Sequence, residues 1–273
     1  MTFPRTSVGG IEISRMICGT NPFYGYSHYS PARDTWLRRY FTMERIVEVM
    51  EACANAGINA VMSSPDERTE RAIEEVKRST GAEFVWICTP GSRDFEETKE
   101  SIRWAADHGA KICMPHMCFT DSHLVPGENR LIHAEEITEL IRSLGMVPGL
   151  STHRPETITT CDEAGYDFAS YIQPYNVAGF LCHYETDWLQ RVFNRSPKPI
   201  MCVKPLAAGS VLPGAGLRFV WSTIKPIDLV VLGMISPEEV QEDVEFSLNA
   251  IAGIAKEQEL AFTRSKKMLT SSS

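Results

Sequence analysis

Eight short apolar segments recur along the chain of 273 residues, at 16–20, 59–63, 84–89, 111–116, 146–153, 169–176, 200–205 and 229–233. Nearly every one ends in a polar or ring-bearing residue, and an amphipathic stretch of helical length follows. Eight repeats of strand, loop and helix predict an α/β fold, a closed (β/α)8 TIM barrel whose functional groups stand where the strands end. Helices are expected at 43–56, 67–80, 94–108, 134–144, 155–164, 185–194 and 217–224, with a last one from the Ser236-Pro237 start. Glycines at 57, 81, 109, 145 and 165 stop the first five of them as C-caps. Val8-Gly9-Gly10, between two short extended pieces, predicts a β-hairpin ahead of the barrel. Length fits one domain over 1–262, followed by a flexible C-terminal tail at 263–273.

Composition narrows the function classes. A net charge of −8 with no Lys/Arg run disfavours nucleic acid and anionic membranes as partners. No apolar run approaches membrane-spanning length, and residues 1–5 are not followed by a signal-peptide core. Several of the eight cysteines fall inside expected strands or helices, with no CxxC pair, which points to a reduced, cytoplasmic protein. The expected partner is a small-molecule substrate, with a homo-oligomer allowed.

One connection is out of proportion. Residues 21–41, between the first strand and the first expected helix, hold Phe23, Tyr24, Tyr26, His28, Tyr29, Trp36, Tyr40 and Phe41. A loop of this kind covers a pocket for a sugar ring or other partly apolar ligand, or only packs onto the barrel or a second subunit.

The motif order resembles the aldo/keto reductase superfamily. Residues 7–15 with Ile17-Cys18-Gly19-Thr20 resemble its N-terminal hairpin and first strand, and Ala56-Gly57-Ile58-Asn59 its approach to the second. Gly149-Leu150-Ser151-Thr152-His153, Gln173-Pro174-Tyr175-Asn176 and Lys204-Pro205-Leu206-Ala207-Ala208-Gly209 resemble segments at its fifth, sixth and seventh strands. Gly233-Met234-Ile235-Ser236-Pro237-Glu238 with Glu242-Asp243 resembles its cofactor-binding turn. The resemblance implies a nicotinamide cofactor near Lys204, Leu206, Gly233, Ser236 and Glu242, with Tyr175 against the nicotinamide ring. It also implies carbonyl reduction by an Asp–Tyr–Lys–His tetrad. The chain departs there: Met62-Ser63-Ser64 stands where the Asp belongs, no Tyr follows, and Thr89-Pro90 replaces the Lys. Only the His has a counterpart, His116.

A different constellation occupies the strand ends. His116, His153 and His183 follow strands four, five and six, so three imidazoles could meet at the mouth and hold Zn, Mn or Fe. Asp66 or Glu67 could add an optional carboxylate to that set; without metal, His116 and His153 are an acid and a base. Lys204 ends strand seven, where low dielectric would lower its pKa; it is a base, an imine former, or a binding cation for phosphate or hydroxyl. Asn21, Tyr24, Gln173, Tyr175 and Asn176 are candidates to contact substrate. Three readings follow. The chain is a lyase, isomerase, epimerase or hydrolase acting on a sugar or other polyol or carbonyl compound. Alternatively it is an NAD(P)-dependent oxidoreductase with an altered site, or a non-catalytic ligand-binding barrel.

Overall fold

The computed structural model describes residues 3–258 and Lys266. The expected tail at 263–273 therefore lies, apart from Lys266, outside the described residues. The chain opens with β1 (Arg5–Val8) and β2 (Ile11–Ser14), antiparallel with Val8 opposite Ile11, so Val8-Gly9-Gly10 does turn a hairpin. Next come β3 (Met16–Gly19), α1 (Pro31–Tyr40), α2 (Met43–Asn55), β4 (Ala60–Ser63), α3 (Glu67–Thr80), β5 (Val85–Cys88), α4 (Phe95–Asp107) and β6 (Ile112–Cys113). A short helix α5 (Met117–His123) and a small hairpin, β7 (Leu124–Val125) with β8 (Arg130–Leu131), precede α6 (Ala134–Ser143). The chain continues through β9 (Val147–Pro148), β10 (Leu150–Ser151), α7 (Glu156–Glu163), β11 (Tyr171–Pro174) and α8 (Thr186–Arg195). It ends with β12 (Ile200–Val203), α9 (Pro213–Thr223), β13 (Leu229–Leu232) and α10 (Pro237–Ile251).

The parallel sheet runs β10-β11-β12-β13-β3-β4-β5-β6-β9. Strands β9 and β10 are two pieces of one stave, interrupted at Gly149, whose N–H donates to Cys113 O at 2.9 Å. Because β9 pairs with β6 and β10 with β11, the sheet closes on itself as eight staves. Gly149 is required at the seam: a Cβ there would stand 2.7 Å from Met114 Cε and 2.8 Å from Ser170 O.

Burial divides into two layers. Ile17, Ala60, Ile87, Ile112, Met114, Ile172, Met201 and Leu229 fill the barrel interior, and Val8 and Ile13 of the hairpin join the same cluster. The larger cluster lies between strands and helices, with Trp86, Phe119, Phe168, Tyr171 and Phe193 among its fully buried rings. Alternating strand residues supply these two layers, the pattern that a closed parallel barrel demands.

The helices depart from the sequence reading in three places. The long connection at 21–41 is not all loop: Ser30 Oγ accepts from Arg33 N, Pro31 occupies the first turn, and α1 forms. Helix α9 begins at Pro213, four residues before the expected 217, because a Pro fits the first turn and Gly214 and Gly216 allow close packing. Helix α5 has no counterpart among the expected helices; the ring of His116 starts it, Nδ1 accepting from Cys118 N at 3.3 Å. No described helix is long and apolar enough to cross a membrane, and all eight cysteines are free.

Candidate active site

At the C-terminal mouth of the barrel lies a cavity of about 400 Å³. Its floor is Met62, Ile172, Val203 and Val231, the last interior residues of four staves. Polar groups reach it from the strand ends: Ser63, Thr89, His116, Ser151, His153 and Lys204. The 21–41 segment supplies one wall through Asn21, Tyr26, His28, Arg33 and Leu37. Its other rings pack on one another, Trp36 stacked on Tyr40 at 4.7 Å and Phe23 against Phe41 at 4.9 Å. Further lining comes from residues between Leu206 and Pro213 and between Gly233 and Asp243.

The half of the mouth built by β3, β4 and β5 is internally satisfied. Ser63 Oγ accepts from Trp86 Nε1 at 2.8 Å and from Thr69 Oγ1 at 3.1 Å. Thr89 Oγ1 donates to Ser63 O, and Thr20 Oγ1 to Met62 O. Of these, Ser63 and Thr89 stand where the resemblance implied an acid and a lysine.

The other half is electrostatically tense. Burial pushes Lys204 down to about 8. His153 is pushed down to about 3, by burial first and by the Lys204 charge second. His116 is also lowered by burial and then by Lys204, and so is His28. All three imidazoles are therefore neutral bases at pH 7. Asp121 of α5 fixes the strand end that carries His153: its carboxylate accepts the His153 backbone N–H at 3.1 Å and the Thr152 hydroxyl. Burial raises the pKa of that carboxyl.

The cavity thus gathers His116, His153, Lys204, Asn21, Leu206, Gly233 and Glu242 from the candidates read in the sequence. Seven others lie outside its lining. Asp66 caps α3 by accepting from Arg68 N and pairs with the Arg68 guanidinium, so its carboxylate is committed to a helix start. Tyr24 is buried, with its hydroxyl on Thr69 Oγ1 and its ring under Arg68 at 4.2 Å. Gln173 is buried behind His153, donating to its carbonyl. Tyr175 lies in the helix layer, bonded to Thr223 Oγ1 and packed on Phe193 and Phe219, where no ligand ring can stack on it. Asn176 braces its own loop through Phe180 N and O. Ser236 caps α10, accepting from Glu239 N. His183 is exposed, edge-on to His153 with ring centroids 6.4 Å apart.

The metal expectation is corrected by the same geometry. Among the described residues no three His, Cys, Asp or Glu side chains are arranged to hold an ion, and His116, His153 and His183 share no common point. The strands that carry them are neighbours, but a side chain's reach depends on its loop, and His183 sits nine residues past the end of β11.

Sequence reasoning gave no site role to His28, Arg33, Asp121 or Glu239, and named Asp243 only as part of the resembling turn. Burial pushes Asp243 up to about 8, and its Oδ1 has no partner among the described residues. For Glu239 and Asp243 a signal existed, since both follow the Gly233 turn on one face of α10. Asp121 and His28 had none, because neither α5 nor the fold of the 21–41 segment follows from local pattern.

Solved structures with the same architecture include a protein assigned as an aldo-keto reductase in Pseudomonas aeruginosa. It is 16% identical, with 90% of this chain and 95% of that one aligned at a TM-score of 0.64. An aldo-keto reductase enzyme from a Medee basin deep-sea metagenome library is 11% identical, with 94% and 97% aligned at a TM-score of 0.58. No family model matches the chain, and no curated protein matches it in sequence. The chain therefore shares the (β/α)8 barrel fold of these aldo-keto reductases, preceded here by an N-terminal hairpin.

Proposed function

We propose that this barrel is an enzyme that moves protons on a small hydroxylated carbonyl compound, an isomerase, epimerase or lyase rather than a carbonyl reductase. The observation that carries the reading is the contrast within the mouth. Neutral imidazoles of His116 and His153 face the same cavity as Lys204, whereas the hydroxyls at the β4 and β5 ends are bonded to protein. A neutral imidazole can take a proton from carbon next to a carbonyl, and a nearby cation stabilises the negative charge that then grows on oxygen. Asn21 and Tyr26 line the 21–41 wall and would offer hydrogen bonds to substrate hydroxyls, and the apolar floor suits a carbon skeleton. The eight free cysteines support a reducing, cytoplasmic setting.

A panel of candidate substrates is enough for the test. The protein is incubated in D2O with short aldoses and ketoses, and deuterium entering the carbon beside the carbonyl is followed by NMR. Exchange that His153→Ala and His116→Ala abolish supports the reading; exchange indifferent to both sinks it.

The second reading is an NAD(P)-dependent oxidoreductase, favoured by the solved structures that share the barrel. The residues present fit a dinucleotide poorly. The Glu239 carboxylate takes the Ile235 N–H and Ser236 Oγ takes the Glu239 N–H, which uses donors at the start of α10 that a diphosphate would need. Glu242 adds negative charge along that wall. Fluorescence titration with NADH and NADPH separates the two readings, tight binding favouring the oxidoreductase.

A further inference from the structure

Three buried or half-buried lysines show what this fold does with an amine. Lys225 Nζ donates to the carbonyls of Phe193, Ser196 and Lys198, and lies 3.4 Å from Asp228. Lys198 Nζ donates to Tyr171 Oη at 3.0 Å and pairs with Asp162 at 2.9 Å. Lys204 Nζ has neither a hydrogen bond nor an ion pair among the described residues, although it lines the mouth cavity. The ionisable group that favours its charge is the Cys182 thiol, and the imidazoles of His28, His116 and His153 all feel that charge.

The backbone that presents this amine is strained. Lys204 has φ of 63°, Ala207 48° and Ala208 57°, three non-glycine residues in the left-handed region within five positions. The turn is fixed by Ala207 N donating to Lys204 O and Val211 N to Leu206 O. Helix α9 presses on it from behind, where a Cβ on Gly216 would come within 2.7 Å of Leu206 Cδ2 and 3.0 Å of Pro205 O. Such strain persists only where the surroundings impose it, and it gathers at functional positions. Here its consequence is a lysine aimed into the mouth with nothing of the protein to bind.

We infer that Lys204 is a nucleophile that forms an imine with the carbonyl carbon of an aldehyde or ketone held in this cavity. The inference rests on the proton-transfer reading and deepens it, since an iminium acidifies the neighbouring C–H more than a carbonyl does. The step balances within the site. The ammonium of Lys204 gives a proton to the imidazole of His116, and the free amine's electron pair forms the C–N bond. The C=O pair moves to oxygen, which takes a proton from nitrogen. The imidazolium returns the first proton as the C–O bond breaks, so water leaves and one positive charge remains on the iminium. Burial, which lowers Lys204 to about 8, makes the free amine accessible near neutral pH.

Reductive trapping tests this directly. The full chain is incubated with glycolaldehyde or dihydroxyacetone and cyanoborohydride near pH 8, and adducts are located by intact mass and peptide mapping. A single reduced adduct on Lys204, formed at least about tenfold faster than on exposed lysines such as Lys77, is the expected result. Lys204→Arg, its fold checked by circular dichroism, should lose that adduct. Adducts spread over the lysines according to exposure would overturn the assignment. If Lys204→Arg does not fold, trace acetylation of the unaltered chain against pH decides: a Lys204 midpoint at about 8 supports the nucleophile, and one at the ordinary 10.5 overturns it. The outcomes separate from those of the exchange experiment. Trapping on Lys204 without deuterium exchange keeps the imine and removes the proton-transfer reading, whereas exchange that persists in Lys204→Arg removes the imine alone.

Discussion

The two halves of the barrel mouth differ in one respect that decides what each can do. On the β3–β5 side the buried hydroxyls are answered by protein: Ser63 by Trp86 and Thr69, Thr89 by a carbonyl, Thr20 by another. On the β6–β12 side the polar groups crowd together without answering one another, so that burial pushes Lys204 toward its neutral form, and burial together with the Lys204 charge does the same to His116 and His153. A satisfied polar group stabilises the fold and has nothing left for a ligand. An unsatisfied one at a cavity wall costs stability until a ligand supplies its partner. The mouth of this barrel is thus answered by hydrogen bonds at the β4 and β5 ends and left open around Lys204.

If that contrast is functional, substitutions on the open side should remove chemistry and spare the fold. Lys204→Met should lower D2O exchange by about 10⁴-fold, the upper range for a positioned group in proton transfer. Its thermal midpoint should stay level or rise, because a desolvated amine is replaced by an apolar chain of similar length. A midpoint that falls sharply would mean that Lys204 is structural. His153→Ala should cost about 10²–10³-fold in exchange rate, with His116→Ala nearer the lower figure because its Nδ1 also starts α5.

The closed side should behave in the opposite way. Ser63→Ala leaves Trp86 Nε1 and Thr69 Oγ1 without their acceptor in a buried site, at a cost of about 1–3 kcal/mol of stability. Urea unfolding measures that loss, while the exchange rate of the folded fraction should be unchanged. A large fall in exchange with unaltered stability would reverse the assignment of the two halves.

How much of this contrast could be read from sequence depends on what carries it. The barrel was legible because eight apolar segments and their Gly stops are local patterns, and helices such as α3, read at 67–80 and found at Glu67–Thr80, follow from caps a few residues away. The placing of His116, His153 and Lys204 at one cavity followed from strand ends alone. What could not be read was which polar residues were already spoken for. Asp66 looks like a rim carboxylate until Arg68 is seen on it, and Tyr175 looks like a stacking ring until the odd-even alternation of β11 turns it into the helix layer beside Phe193. His28 and Asp121 were invisible for the complementary reason, since each reaches its place through a segment whose fold depends on distant packing.

Stability should also depend on pH, and this sharpens the contrast because the open-side groups His153 and Lys204 should contribute to it. His153 takes its proton at about 3 in the folded chain and near the ordinary 6.5 when unfolded. Between those values the unfolded chain holds the extra proton, so stability should rise with pH across that window and be flat above it as far as His153 is concerned. Lys204 acts with the same sign between about 8 and 10.5, raising stability as pH climbs through that second window. Asp243, pushed up to about 8, has the reverse sign: the folded chain holds its proton longer, so it lowers stability as pH rises from 3.8 toward 8. Measured alone, the wild-type curve mixes the opposed contributions of His153 and Asp243 over the acid range. Urea midpoints of His153→Gln and Asp243→Asn against wild type separate them. The first should flatten the rise on the acid side; the second should gain stability relative to wild type as pH increases. A His153→Gln curve parallel to wild type between 3 and 6.5 would mean that the imidazole titrates normally, and that the open half of the mouth is less desolvated than its geometry requires.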